Sequence, residues 1–377
     1  MKILTVCYEY PPIGGGGGRV AASVADELAR RGHQVRMQTS GLAGLSPRDI
    51  SPQGVEIQRT FSFRRSADAC TVPQMAGYVL ANLWPVLRAA QKWRPDVMHA
   101  HFAVPTGPVV WMVHKLTGVP YVLTAHLGDV PGGAPEQTDH LFRIVKPFTK
   151  PIWNDASAVT AVSSHVAELA RKAYGTNARV IPNGIASVAR HAPSPDPEGL
   201  LRLLFVGRMS VQKNPIFLAD ILAPLRGRNW RVVFIGDGPL RPELEHQLQR
   251  AGIAGQCELP GWLDNTDVRA TMARSDILLM PSLSEGMPVA AVEAASLGLA
   301  IAGSQIPGLT DVLHDGINGW TLPLADRSRW TNLLGTLLND STGLRERQEN
   351  SLQVARRFDL AGIISSYEEA LLSALHK

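Results

Sequence analysis

The stretch Asp276–Ala295, DILLMPSLSEGMPVAAVEAA, decides the fold. Ile277, Leu278, Leu279 and Met280 form the short unbroken apolar run that a parallel strand covered on both faces requires, and Pro281 closes it. Gly286 permits a tight turn, and Pro288 suits the first position of a helix expected to run through Glu293 to Gly298. Strand, sharp loop and helix in that order put free helix amides beyond the strand's carboxyl end, where open α/β sheets bind ligands and anions are favoured. Glu285 precedes the helix and Glu293 lies one turn into it. Carboxylates accept hydrogen bonds and do not donate. The pair therefore suits a ribose or a sugar ring, with a phosphate between them at the amides. The same two residues would serve equally as an acidic loop and a helix-start glutamate that complements the dipole.

Working outward, the first half alternates β-branched runs with helical patterns: KILTVC, a helix Val20 to Arg31, QVRMQT, a longer helix Gln74 to Lys92, then DVMHAH, YVLTAH, AVTAV and ARVIP. In the first helix Val20, Ala21, Val24, Ala25 and Leu28 share one face. Such alternation predicts a mostly parallel sheet with helices on both sides. ARHAPSPDPEG, residues 189–199, reads as a linker. A second series follows with LRLLFVGR, RVVFIGDG, DILLMP, LAIAGS and GWTLP. The expected domains are 1–186 and 187–359, with a C-terminal helix at about 360–377 packing back on the first.

At 377 residues the chain exceeds one comfortable core. Three scattered cysteines, Cys7, Cys70 and Cys257, argue for a reducing compartment and against a disulfide framework or a Cys-based zinc site. The start is a strand and not a signal peptide, and no apolar stretch approaches the ~20 residues of a spanning helix. The cytoplasm, or the cytoplasmic face of a membrane, is the expected location. Residues 1–190 carry 20 Lys+Arg and 12 Asp+Glu, against 17 and 21 in the remainder. Arg64 and Arg65, then Arg88, Lys92 and Arg94, then Arg143, Lys146 and Lys150 would form a surface for anionic lipid or a phosphorylated acceptor, or else solvated helix faces.

Glycines 14–18 lead into the first helix and would let a phosphate or sugar approach backbone amides. Arg19 stands where a dinucleotide fingerprint needs its third glycine, and no acidic residue ends QVRMQTS, so a nicotinamide cofactor is not supported. No P-loop motif is present. Arg208 and Lys213, in GRMSVQKNP, follow a strand end where a diphosphate could lie between a planar fork and a point charge.

In order and spacing, GRMSVQKNP, GDGP (236–239), PGWL (260–263) and EGMPVAAVEA resemble glycosyltransferase family 4, retaining nucleotide-sugar-dependent enzymes of the GT-B fold. The first half joins the resemblance through its Gly-rich loop, HAHF, TAHLGD and PNGI. The resemblance implies two Rossmann-like α/β domains facing across a cleft. Arg208 and Lys213 would bind the donor diphosphate and stabilise its developing charge, Glu293 would hold the ribose, and Glu285 would sit beside the transferred sugar. Gly286, Met287, Pro288 and Val289 would complete the contacts to sugar and phosphate, with Gly236 beside them. Gly261, Trp262 and Leu263 would form the base-binding edge. His126 matches the family's active-site histidine and Gly16 the glycine that approaches the diphosphate, while Gly15 and Asp129 would face the acceptor. Leu127 intervenes between His126 and Gly128, where many relatives place glycine directly after the histidine.

No D-x-D occurs, so neither a metal nor any other cofactor is expected, and transfer would be metal-independent. The expected partners are a nucleotide-sugar donor, UDP-sugar before GDP-sugar, a saccharide or lipid-linked acceptor in bacterial polysaccharide or glycoconjugate synthesis, and an anionic membrane surface. Nucleic acid is not among them. Same-face attack, with the departing phosphate taking the acceptor's proton, is the expected route to retention. The alternatives are a nucleotide-sugar epimerase or phosphorylase of the same fold, and a non-catalytic sugar-nucleotide-binding protein. His99 and His101 share a strand face but lack a third ligand at metal-site spacing. Trp84 and Trp93 belong either to the core or to a membrane interface beside Arg88 and Lys92.

Overall fold

The unbroken apolar runs become the inner strands of two parallel sheets, because only a strand covered on both faces gains from burying every side chain. The computed structural model describes every residue except 68, 69, 190, 195, 197 and 377, together with all side chains but those of 136–141, 143 and 144. Arg143 of the basic set and parts of the proline-rich linker thus lie outside the described residues. The chain divides into two units, Met1–Gly184 with Ala361–Lys377, and Ile185–Leu360.

In the first unit the strands are β1 (Lys2–Cys7), β2 (Gln34–Gly41), β3 (Arg48–Ile50), β4 (Glu56–Phe61), β5 (Val97–His101), β6 (Tyr121–Ala125), β7 (Ala158–Ala161) and β8 (Arg179–Val180). They are ordered β3-β4-β2-β1-β5-β6-β7-β8, and only the β3 and β4 pairing is antiparallel. The second unit has β9 (Leu201–Val206), β10 (Trp230–Ile235), β11 (Cys257–Gly261), β12 (Ile277–Met280), β13 (Ala300–Ser304) and β14 (Gly319–Leu322), ordered β11-β10-β9-β12-β13-β14 and wholly parallel. Each sheet reverses its order beside its first strand, between β1 and β5 and between β9 and β12. These are the topological switch points where doubly wound sheets leave a crevice at their carboxyl ends.

The helix Gly16–Arg30 buries Val20, Ala21, Val24, Ala25 and Leu28, the face its periodicity marks. It starts inside the glycine run and not at Val20. Tertiary contact overrides glycine's poor propensity there: a Cβ at Gly17 would meet the Phe102 ring at 2.4 Å, so only glycine lets this first turn dock. The helix after β12 spans Val289–Ser296 with Pro288 as its N-cap, one residue later than expected at the start and two residues shorter at the end. Strands β3 and β11 at sheet edges, and β4 beside β3, went unread because they lack a continuous apolar run; β11 is CELPG, with alternate residues exposed. In the second unit Trp230, Phe205, Phe234 and Trp330 anchor the core.

The core of the first unit is polar along one line. His99 and His101 on β5, Thr124 on β6 and Thr160 on β7 are all fully buried. Tyr367, from the helix Leu360–Ser373, lies over them with its ring 5.5 Å from that of His99. That helix is also tied to the first unit by Glu368, which pairs with Arg31 at 3.0 Å and with His33 at 2.7 Å.

Candidate functional site

In the second unit, the loops after β9 and β12 are neighbours because their strands are neighbours. They are joined along their length. Leu283 N–H donates to Gln212 O (2.8 Å), Gln212 Nε2 to Ser284 O (3.0 Å), and Asn214 Nδ2 to Pro281 O (3.2 Å). This join carries Lys213 onto Glu285, with Nζ 2.6 Å from Oε1. Ser282 Oγ donates to the same oxygen at 2.7 Å. Glu285 is only 5% exposed, so its carboxylate is a buried charge held by one cation and one hydroxyl. Both contacts fall on Oε1, which orients the carboxylate. Ser282 escaped the sequence reading, although Ser-x-x-Glu spacing across a tight loop is the pattern that would have revealed it.

Arg208 leaves the same strand end half-buried, five residues before Lys213. The floor of this edge is backbone. Gly207 N–H donates to Ile235 O, Met209 N–H to Asp237 O (2.8 Å) and Gly236 N–H to Gly261 O (2.8 Å), which links the ends of β9, β10 and β11. A Cβ at Gly236 would stand 2.1 Å from Gly207 O, at a φ of +124°, so no other residue fits. Beyond Gly261, Trp262 is exposed and Leu263 half-buried. Gly286, Met287 and Pro288 are buried, Val289 and Glu293 half-buried. No side chain caps the start of the helix Val289–Ser296, which leaves leading amides for an anion. Arg208, Lys213, Gly236, Gly261 and Glu285 thus all belong to one edge of one sheet, with a cation, an oriented carboxylate and an uncapped helix start side by side.

In the first unit, His126 follows β6 and is almost fully buried. It stacks on Phe102 (centroids 4.1 Å apart, 23° between planes), and its Nε2 lies 3.4 Å from His101 Nδ1. Burial pushes His126 down to about 3 and His101 well below the usual imidazole range, so both are neutral at neutral pH. His99 is likewise pushed down to about 3 by burial and by the charge His126 would carry; its Nε2 meets Thr124 Oγ1 at 2.8 Å, and Thr124 meets Thr160 at 2.8 Å.

Asp129, expected to face the acceptor, lies between two loops. It is 1% exposed, and its two oxygens accept the amides of His126 (2.6 Å) and Val104 (3.2 Å). Its carboxylate therefore clamps the loop after β6 to the loop after β5. Burial pushes its pKa up to about 7 against the pull of those amides. Gly15 is exposed, but its N–H donates to Glu9 Oε2 at 3.1 Å, so an internal carboxylate already stands at this amide. Glu9 itself was not anticipated. Gly16 opens the helix and is exposed. Among the described residues, no group of three or more His, Cys, Asp or Glu is placed to hold a metal ion.

Two family models divide the chain between them. The one described as Glycosyltransferase Family 4 matches residues 14–187, and the one described as Glycosyl transferases group 1 matches 201–340. TuaC of Bacillus subtilis, named as a glycosyltransferase of teichuronic acid biosynthesis, is 30% identical over 229 residues, 58% of this chain and 55% of that protein. Glycogen synthase of Mycobacterium tuberculosis is 25% identical over 99% of this chain and 95% of its own length. Anabaena HepE, whose crystal structure holds UDP and glucose, superposes with a TM-score of 0.79 at 19% identity, covering 99% of this chain and all of that one.

Proposed function

The chain belongs to glycosyltransferase family 4 and has the GT-B fold of two Rossmann-like domains, and on that premise we propose that it moves a sugar from a UDP-sugar to a hydroxyl acceptor with retention of configuration. The observation that carries the reading is the Lys213–Glu285 contact at the switch point of the second unit, beside a helix start that no side chain caps. A donor diphosphate needs a cation and amides, and its sugar needs a hydrogen-bond acceptor. Both stand on one sheet edge.

In this reading Arg208, Lys213 and the backbone N–H groups of Gly286, Met287 and Val289, on either side of Pro288, take the diphosphate with Gly236 beside it, and Gly16 is the glycine that the family resemblance assigns to the same group. Glu285 accepts from the sugar's hydroxyls and Glu293 from the ribose. Gly261, Trp262 and Leu263 present the base edge. His126, neutral and held in place by Phe102, His101 and Asp129, is the residue that the family resemblance assigns to the transferred sugar. The acceptor oxygen attacks on the face from which the diphosphate departs: the carbon–phosphate oxygen bond breaks, the new glycosidic bond forms, and the acceptor's proton passes to the leaving phosphate. Arg208 and Lys213 neutralise the charge that builds there, which is why the reaction requires no metal. The UDP bound by HepE, on the same fold, favours uridine over guanosine. The name of TuaC, a glycosyltransferase of teichuronic acid biosynthesis, favours a bacterial polysaccharide acceptor; the reading adds a lipid-linked acceptor at the cytoplasmic face of an anionic membrane.

A thermal-shift screen with UDP-, GDP- and ADP-sugars, followed by acceptor-dependent UDP release and assignment of the product's anomeric configuration by NMR, tests this. Stabilisation by UDP-sugars and a retained anomer are expected. UDP released equally without acceptor would point to donor-only chemistry such as epimerisation, and an inverted product would overturn the same-face mechanism.

A further inference from the structure

From Val72 to Leu87 the helix Val72–Trp93 carries no charged side chain, yet it lies at the surface of the first unit. Val72, Leu80 and Trp84 are exposed, Leu80 by 78% and Trp84 by 65%, and Ala76 completes a row spaced four apart. Phe61 and Phe63, at the end of β4, add two more exposed rings in mutual contact (centroids 5.3 Å apart), and Phe63 packs beside Gly77 of the helix. Exposed apolar side chains grouped on a surface helix and the adjoining strand end form a binding surface or a liability.

The row continues in charge. Arg88 and Lys92 follow Trp84 at the same spacing and are exposed. They line a groove of about 840 Å³ with Arg48, Ile50, Trp84 and Trp93. Among the described residues, the side chains of Arg48, Arg88 and Lys92 have no ion-pair partner, whereas the nearby acids are taken: Glu56 pairs with Arg36 at 2.7 Å and Asp49 with Arg59 at 3.5 Å. From Leu80 the row Leu80, Trp84, Arg88 and Lys92 turns about 120° round the helix, apolar side chains first and cations without an ion-pair partner after, with the tryptophan at the join. Aliphatic groups, an indole and cations exposed together on one helix suit a bilayer interface whose headgroups are anionic. A second copy of this chain matches less well, since its corresponding face would bring the same unpaired cations and no free carboxylate.

We propose that this face, Phe61, Phe63, Leu80 and Trp84 with Arg88 and Lys92, docks the protein on an anionic lipid bilayer. It gives the membrane contact of the reading above its place, and it rests on that reading only for its purpose, the delivery of a lipid-linked acceptor. Lipid binding does not depend on turnover.

The test is co-sedimentation of the full chain with vesicles of phosphatidylcholine alone or mixed with phosphatidylglycerol. Binding to the mixed vesicles, and little to phosphatidylcholine alone, is expected. Arg88→Ser with Lys92→Ser should weaken it roughly thirty-fold, at about 1 kcal/mol for each cation. Leu80→Ser with Trp84→Ser should abolish it, while both double variants keep the wild-type thermal midpoint and UDP-induced stabilisation. Equal sedimentation with both vesicle types, or binding that survives both double variants, would overturn the proposal. Concentration-dependent dimerisation lost in Leu80→Ser with Trp84→Ser, without lipid binding, would assign the face to a second copy. Loss of UDP-induced stabilisation in the wild type would count against the donor reading alone.

Discussion

Glu285 shows most directly what a single side chain contributes. Its carboxylate is buried, and its charge is balanced by Lys213 from a loop 72 positions earlier and by the Ser282 hydroxyl. Removing one partner of a buried pair leaves the other charge desolvated and costs about 3 kcal/mol. Lys213→Met should therefore lower the stability of the second unit by about that amount in urea denaturation, and Lys213→Met with Glu285→Gln should recover part of it. If Lys213→Met unfolded at the wild-type midpoint, the contact would contribute nothing to stability. The two glutamates of the opening stretch could be ranked as site candidates from their types and spacing alone. Their separate environments could not: Glu285 is pinned and buried, Glu293 half-buried inside a helix, and the lysine that pins the first is remote in sequence.

At the level of elements, the helix Val289–Ser296 begins without a capping side chain because its N-cap is Pro288. A serine at an N-cap accepts from an orphan amide and stabilises a helix by about 1 kcal/mol. Pro288→Ser should accordingly raise the thermal midpoint and, by occupying an amide the donor diphosphate uses, weaken UDP binding in calorimetry. A gain in stability with unchanged affinity would mean that the amides bind no donor group. The strand before this helix was legible because four apolar residues closed by proline admit few other structures, and its neighbour was not. Nothing local in Asp276 says that it will meet Arg202 through two parallel hydrogen bonds (2.6 and 2.9 Å) and so set β12 beside β9. Strands β4 and β11 were missed for a related reason: a strand covered on one side needs no continuous apolar run, so both read as loop.

For the molecule as a whole, the polar core of the first unit sets a pH dependence. His99, His101 and His126 are held neutral by burial, with folded values depressed below the unfolded value near 6.5. Unfolding below that pH takes up three protons, so their effect is to lower stability as pH falls from about 6.5 towards 3. Asp129 acts oppositely. Its folded value is raised to about 7, so it stays protonated when the unfolded carboxyl has ionised, and its contribution weakens as pH rises between about 4 and 7. Near pH 5 the balance is an uptake of about two protons on unfolding, which is about 2.7 kcal/mol per pH unit. Stability in urea should fall on acidification from pH 6.5 to 5, and His101→Phe should roughly halve that slope. A slope unchanged in His101→Phe would show that His101 is not the neutral buried group its surroundings imply.

The sequence by itself determined the class of this protein. Periodicity named the parallel strands and covering helices, and the ordered motifs named the family, because apolar runs, turn glycines and strand-end cations are local properties of the chain. Tertiary structure alone decided which of those residues act together. Strand order placed the loops after β9 and β12 side by side and so made Lys213 and Glu285 a pair. Burial set the Asp129 carboxyl on the amides of His126 and Val104, and the surface position of the helix Val72–Trp93 left Trp84 in solvent rather than in the core. The physical reason is the same in each case: type and spacing are written along the chain, whereas the charge state, the exposure and the partner of a side chain depend on neighbours that only the fold supplies.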